Sequence, residues 1–322
     1  MKAKILTNSK ALSCSRKNKS RKSGFVLVSV LMLGVLLISC ATAFSWFVRA
    51  QVRTTGQELR AIERRSMADV LAIVVMKALT QVAAQFKYDS PADQRWYQPF
   101  ILPLGNDLGI WVAQIVPLDD KIPLRNLFLP DGNTLRREIS ELWEELWRKI
   151  GNVNNSNVVL DFIDRNDKPR VGSSEREEFI NRAPYDPSEL MMLSRDIPQE
   201  LLYGSEGKKG FVDYCTVYSD GKININVAPV YVMELMPGLD TGGVAERIER
   251  TRAETPIKDM ADLRKLPGFS AKSSNKLTNL IGFKSRYFLL KIECLDDTGN
   301  GGKSFNIILD RDSKQIIKWE ES

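Results

Sequence analysis

Two sets of residues carry chemical potential. The first is an acidic, oxygen-rich loop, Asp164-Arg-Asn166-Asp167-Lys168-Pro169-Arg170-Val-Gly172-Ser-Ser-Glu175-Arg-Glu177. Counted from Asp164, Asn166 and Glu175 occupy the third and twelfth places of the twelve-residue calcium loop. Pro169 stands where that loop needs Gly and Lys168 where it needs an oxygen ligand, so this is not an EF-hand. A looser Ca²⁺ site built from Asp164, Asn166, Asp167, Glu175 or Glu177 and an exposed Asx-rich turn are both open readings. No cofactor is required by either. The second set is the junction Arg21-Lys22-Ser23-Gly24-Phe25, in which basic residues and a glycine precede an apolar run. Its chemistry is to be cut on the basic side, which would leave Phe25 as a new N-terminus. The blander alternatives are a plain single-pass anchor and an anchored periplasmic domain.

Catalysis by the chain itself is not expected. There is no histidine, which removes Ser-His-Asp and Cys-His pairs and the usual zinc enzymes. No nucleophile–base pair, phosphate-cradling Gly loop or carboxylate dyad stands out. Four cysteines, Cys14, Cys40, Cys215 and Cys294, form no C-x-x-C; Cys215 and Cys294 could pair in an oxidising compartment or remain free and buried.

The elements around these residues begin with a basic leader. Of 46 Lys and Arg, eight lie in residues 1–24 without an acid; the remaining 38 face 40 acidic residues, a net of −2. The overall +6 therefore belongs to the leader, which reads as a cytoplasmic retention signal beside a membrane span rather than as a nucleic-acid surface. Phe25 to Val48 is a run of 24 residues without a charge, enough to cross a bilayer as a helix. The chain then continues without proline to about Gln85, with Val52, Leu59, Ile62, Ala68, Leu71, Val75, Ala78, Leu79 and Val82 largely at helical spacing. One helix over Phe25–Gln85 has 61 residues, about 90 Å at 1.5 Å per residue. Its second half is amphipathic and suited to lie on a globular head.

Further along, Leu108–Pro117 is β-branched and aromatic and reads as a strand. Thr134–Ile150 is an amphipathic helix with Ile139, Leu142, Trp143, Leu146 and Ile150 on one face. Ser188–Leu193 and Pro198–Tyr203 read as short helices, and Gly210–Val217 as a strand or extended connector. Asp220-Gly-Lys-Ile-Asn224-Ile-Asn226 echoes Asp120-Lys-Ile-Pro-Leu-Arg-Asn126 as a weak repeat. Compact helices at Val230–Met236, Gly243–Arg252, Asp259–Lys265 and Ser270–Ile281 follow. The Pro-Gly turns at Gly238 and Gly268 have the outline of helix-hairpin-helix motifs, which in DNA-binding proteins offer backbone N–H groups to phosphate. Acidic neighbours Glu246, Glu249 and Asp262 favour a purely structural use. Tyr287–Leu295, Ser304–Leu309 and Gln315–Trp319 form a three-stranded meander, with turns at Asp296–Gly302 and Asp310–Ser313.

Several stretches together resemble a known family, the type II secretion minor pseudopilins called general secretion pathway protein K. They are the Gly24-Phe25 junction with its apolar helix, Val159-Leu-Asp161-Phe-Ile-Asp164-Arg-Asn-Asp167 with Gly172 and Glu175, Asp220-Gly-Lys-Ile-Asn224-Ile-Asn226-Val-Ala-Pro229, and Tyr287-Phe288-Leu-Leu. The resemblance implies an α+β fold, in which a long N-terminal helix packs on an antiparallel sheet and a large helical domain is inserted. The implied division is 1–24 cleaved leader, 25–48 transmembrane half-helix, 49–119 soluble half-helix and first strand, 120–282 helical insertion, and 283–322 C-terminal strands. It also implies cleavage between Gly24 and Phe25 and N-methylation of Phe25 by a prepilin peptidase, and a place in the inner membrane with the C-terminal domain in the periplasm. The implied partners are minor pseudopilins I and J and the major pseudopilin, with no nucleic acid. Most pilin-like subunits carry Glu five residues after the cut; here Ser29 stands there, as the family's tip subunits have it. Two departures are a loop poorer in carboxylates than calcium-binding members have, and no counterpart of the helical-domain disulfide. The rival reading is a membrane-anchored helix-hairpin-helix protein that binds DNA during uptake.

Overall fold

The computed structural model describes residues 20–103, 109–240, 242–295 and 301–322. Most of the basic leader, the Leu108 end of the expected strand and the 296–300 turn lie outside them. The chain divides into two compact units, Met1–Glu63 and Arg64–Ser322.

Helix α1 runs over Ser20–Gln85. It ends where the sequence expects, because Tyr88-Asp89-Ser90-Pro91 cannot continue it. The Lys284 ammonium donates to the Ala83 carbonyl at 2.6 Å, satisfying one of the orphan carbonyls at the helix C-terminus. Within the Arg64–Ser322 unit, Ala68, Ala72, Val75, Met76 and Leu79 are buried at three- and four-residue spacing. They pack on one face of a five-stranded sheet, through Trp111, Ala113 and Ile115, Phe288, Leu290 and Ile292, and Phe305, Ile307 and Leu309. The strict alternation of these residues is the two-residue period of a strand with one face on a helix. The two small residues Ala68 and Ala72 allow the helix to approach the sheet closely.

The strands are β1 (Phe100–Pro103), β2 (Ile110–Pro117), β3 (Tyr287–Leu295), β4 (Gly301–Asp310) and β5 (Gln315–Glu321). Their spatial order is their sequence order and all neighbours are antiparallel. The expected C-terminal meander is present and is extended on the other side by β2, with Trp111 opposite Cys294 and Ile115 opposite Leu290. β1 alternates half-buried and exposed residues, but its four residues are Phe-Ile-Leu-Pro, so the sequence shows no polar alternation there.

The helices lie between β2 and β3: α2 (Arg137–Ile150), α3 (Asn155–Ile163), α4 (Gln199–Tyr203), α5 (Phe211–Tyr214), α6 (Val230–Met233), α7 (Val244–Glu254), α8 (Met260–Arg264) and α9 (Ala271–Leu277). A 3₁₀ run covers Pro187–Arg195. They share a second apolar cluster containing Trp143, Trp147, Phe162 and Phe211, with Trp147 and Phe211 rings stacked 5.4 Å apart.

Three local expectations change. Helix α2 begins at Arg137 rather than Thr134, because the Asp131 carboxylate accepts from the N–H groups of Asn133 and Thr134 and from the Thr134 hydroxyl, tying that segment into a turn. Its buried face includes Trp147, while Ile150 is only half-buried. Gly210–Val217 is not a strand but a helical turn followed by the two-residue strand Cys215–Thr216. Asp213 accepts from the Gly210 N–H at 2.8 Å, and a Cβ on Gly210 would lie 2.1 Å from the Gly204 nitrogen, so only glycine fits this crossing. Cys215 and Cys294 are free and buried, one in each apolar cluster. Burial pushes the Cys294 thiol up to about 11, so it carries little thiolate at neutral pH.

The two echoing segments meet where Gly221 lies against the Asn126 side chain, but each pairs with a different strand. Ile122–Pro123 pairs in parallel with Cys215–Thr216, and Ile223–Asn224 with Ile281–Gly282. Ile223 and Ile225 enter the core, while Asn224 and Asn226 are buried and fully engaged. The Asn224 amide donates to Ser285 Oγ at 2.8 Å, and Asn226 exchanges hydrogen bonds with the backbone of Ile257. The alternation Ile-Asn-Ile-Asn is therefore a core pair interleaved with two amide clamps.

Candidate functional site

In the Met1–Glu63 unit, Gly24 and Phe25 lie within the helical run that starts at Ser20. From Phe25 to Val48 the large apolar side chains are exposed; Phe25 itself is 75% exposed. Among the described residues this is the one helix long and apolar enough to cross a membrane. Three of its hydroxyls are internally satisfied: Ser29 donates to the Phe25 carbonyl at 2.9 Å, Ser39 to that of Val35 at 2.8 Å and Thr42 to that of Ser39 at 2.9 Å. Such back-bonding lets a polar side chain sit in hydrocarbon without an unmatched donor. A glutamate in place of Ser29 could not be neutralised in this way and would need a partner from another chain.

The acidic loop follows α3 in the Arg64–Ser322 unit. Asp161 and Asp164 are both wholly buried, and Arg170 sits between them. Its Nη1 donates to Asp161 Oδ1 at 2.6 Å and to Asp164 Oδ2, its Nη2 to the Asn133 carbonyl at 2.9 Å, and its backbone N–H to Asp161 Oδ2 at 3.0 Å. Burial pushes the Asp164 carboxyl up, and the guanidinium pulls it back. Asn166 donates to Asp164 and uses its own Oδ1 to accept from the Lys168 N–H at 2.8 Å. Asp167 accepts from Asn181 at 3.1 Å. Glu175 differs: both carboxylate oxygens are shielded and without a hydrogen-bond partner. Burial, and then the nearby charges of Asp161, Asp164 and Asp167, push its pKa up. Glu177 is exposed.

The fold thus gathers Asp164, Asn166, Asp167 and Glu175 into one neighbourhood, but as a pocket already filled by a cation of the chain itself. Two carboxylates serve Arg170, Asn166 serves the Lys168 N–H, and Asp167 serves the Asn181 side-chain amide. Among the described residues no group of three or more acidic, His or Cys side chains is arranged to hold a metal. Two of the carboxylates near the loop, Asp161 and Asp164, are thus already committed to Arg170. Thermal unfolding is accordingly expected to be unchanged by millimolar Ca²⁺; a rise of several degrees would show that Glu175 and Asp167 recruit an ion despite Arg170. The residue missed in the sequence is Arg170, six positions beyond Asp164, which nothing local distinguishes from the neighbouring bases Arg165, Lys168 and Arg176.

The two Pro-Gly turns face each other's elements. Gly238 donates its N–H to Asp240 Oδ1 at 3.1 Å, so that amide is already engaged. Arg247 of α7 donates to the Pro267 carbonyl at 2.9 Å and lies over Gly268, where φ is +86° and a Cβ would meet the guanidinium at 2.5 Å. The first is a local turn closure; the second ties α7 to the turn at Gly268.

A helix laid on an antiparallel meander, with a helical insertion between β2 and β3, makes this an α+β protein of pseudopilin-like fold. In structure the chain is similar to one chain of the GspK–GspI–GspJ complex of the enterotoxigenic Escherichia coli type 2 secretion system, with a TM-score of 0.59 and 14% sequence identity over 84% of this chain and 99% of that one. At that identity the likeness is one of fold. No protein-family model matches the sequence, and no curated protein sequence does.

Proposed function

We propose that this chain is a minor pseudopilin of a type II secretion system, a single-pass inner-membrane protein with its folded domain in the periplasm. It acts by assembly: with minor pseudopilins I and J it starts or caps the pseudopilus, beneath which the major pseudopilin is added during export of folded proteins. The observation that carries the reading is the continuous α1, whose first half is a bare apolar span and whose second half closes the core of a meander sheet. The likeness to a chain of a pseudopilin complex over nearly its whole length supports it.

Ser29 supports a place at the tip. A carboxylate in hydrocarbon costs several kcal/mol unless paired. A subunit with no neighbour above it has no amine to pair with, and a serine closed onto its own helix carries no such cost.

Maturation is proposed to be cleavage between Gly24 and Phe25 by a prepilin peptidase, followed by methylation of the Phe25 amine. Mass spectrometry of the protein from its native membrane is expected to find N-methyl-Phe25 as first residue, and Gly24→Ala to leave the leader attached with the span still inserted. Any other mature N-terminus would overturn this reading.

A further inference from the structure

Four arginines, Arg125, Arg165, Arg182 and Arg286, line one cavity of about 420 Å³ in the Arg64–Ser322 unit. Among its lining residues Asp220 is the only acid. This concentration runs against the chain, which beyond residue 24 has 38 basic and 40 acidic residues. Two of the four guanidiniums are already matched. Arg286 holds Asp310 in the two-pronged geometry, at 2.9 and 2.6 Å, and Arg182 holds Glu189 at 2.9 and 3.2 Å. Arg125 and Arg165 are not: among the described residues neither has a carboxylate within 4.0 Å. Arg165 gives one long hydrogen bond, 3.4 Å, to the Pro130 carbonyl, and its charge reaches Asp131 only at longer range. Arg125 lies 5.3 Å from the Tyr185 ring centre, the same ring that Arg182 covers at 4.4 Å.

Both unmatched arginines stand on fixed backbone. Arg125 lies between the buried Leu124 and Leu127, and the Arg165 N–H is bonded to the Gly132 carbonyl at 3.2 Å. A guanidinium whose face rests on an aromatic ring still presents its N–H edge, so the ordering cost of binding a planar anion is already met in part.

We propose that this cavity binds an acidic peptide segment of a partner protein, seating two neighbouring carboxylates on Arg125 and Arg165. The carboxylate is favoured because the cavity already reads that group twice, with the chain's own Asp310 and Glu189. The proposal does not depend on the cleavage site or the membrane helix, and so can fail or stand apart from the assembly reading.

The test uses the full chain in non-ionic detergent and a fluorescein-labelled pentapeptide containing two adjacent glutamates, read by anisotropy. The expected result is saturable binding that weakens by roughly tenfold between about 50 and about 300 mM NaCl. The double variant Arg125→Gln, Arg165→Gln is expected to lose roughly tenfold or more in affinity at an unchanged melting temperature, since neither side chain holds a carboxylate of the fold. Absence of saturable binding, equal binding by the double variant, or equal binding of the glutamine analogue of the peptide would each overturn it. So would displacement of the peptide by inorganic phosphate, or by phosphatidylglycerol nanodiscs, at lower concentration than by unlabelled peptide; that outcome would reassign the cavity to phosphate.

Discussion

Arg311→Met is expected to destabilise the Arg64–Ser322 unit by about 3–5 kcal/mol, the cost of breaking a buried ion pair from one side. Asp89, three residues beyond Phe86, is wholly buried, and Arg311 is 3% exposed. The guanidinium grips both carboxylate oxygens at 2.9 Å and also donates to the Ser285 carbonyl, while the Ser285 N–H donates back to Asp89 at 2.6 Å. The Phe288 ring lies 5.0 Å from the guanidinium carbon. The pair joins the end of α1 to the turn between β4 and β5, across 222 residues of chain. Methionine fills the space of the arginine stem but leaves a carboxylate in a dry site with only a backbone donor. A fall in melting temperature on the order of 10 °C follows for a unit of this size. The double variant Asp89→Asn, Arg311→Met should recover more than half of that loss, because the uncompensated charge is gone. If the single variant melts within a degree or two of wild type, the pair does not hold the helix to the sheet.

The second large effect concerns Asp119, which joins the sheet to the helical insertion. Its buried carboxylate accepts from the N–H groups of Asp220, Arg286 and Tyr287 at 3.1, 2.8 and 2.9 Å, and its own carbonyl accepts from Asn224 at 2.7 Å. Asp119→Ala orphans three backbone donors at once, at about 1–3 kcal/mol for each that water does not reach. A loss of roughly 3 kcal/mol or more is expected, with Asp119→Asn milder because its oxygen still serves Arg286 and Tyr287.

The same residue predicts a pH dependence. Burial first, and the like charge of Asp220, push the Asp119 carboxyl up to about 7 against the pull of its three N–H donors. In the unfolded chain it titrates near about 3.9. Between those values the folded state holds a proton that the unfolded state has released, so this group's contribution to stability falls as pH rises from about 4 to about 7 and is level outside that window. Melting temperatures of wild type and Asp119→Asn, taken at pH 5 and pH 8, should therefore converge as pH rises. Parallel curves would show that Asp119 stays ionised throughout.

How far each feature was legible depends on the range of the interactions that make it. The α1 helix and its end at Tyr88–Pro91 were readable, because helical period and proline act within one or two turns. The meander was readable from β-branched runs and turn residues. Cation occupancy of the acidic loop was not. Asp164, Asn166 and Glu175 have the right spacing for a calcium loop, yet spacing along the chain says nothing of a guanidinium folded back between two aspartates. The Asn224–Asn226 alternation is legible in the sequence as an echo of Asp120–Asn126 and as part of the family resemblance; its meaning as a pair of clamps needed Ser285 and Ile257 to be in place.

The sequence by itself determined that residues 1–24 are basic and precede an apolar run of membrane length, that the helix turns amphipathic past Val48, and that Ser29 occupies a position where a carboxylate would need a partner. These are properties of contiguous residues and follow from local charge, length and period. Tertiary structure alone decided that β2 and β3, separated by the helical insertion, are neighbours. It also decided that Asp89 meets Arg311, that Asp119 joins sheet and insertion, and that two unmatched arginines share one cavity. Each of these joins residues far apart in the chain, where closure entropy is offset only by the whole core at once, so no local pattern announces them.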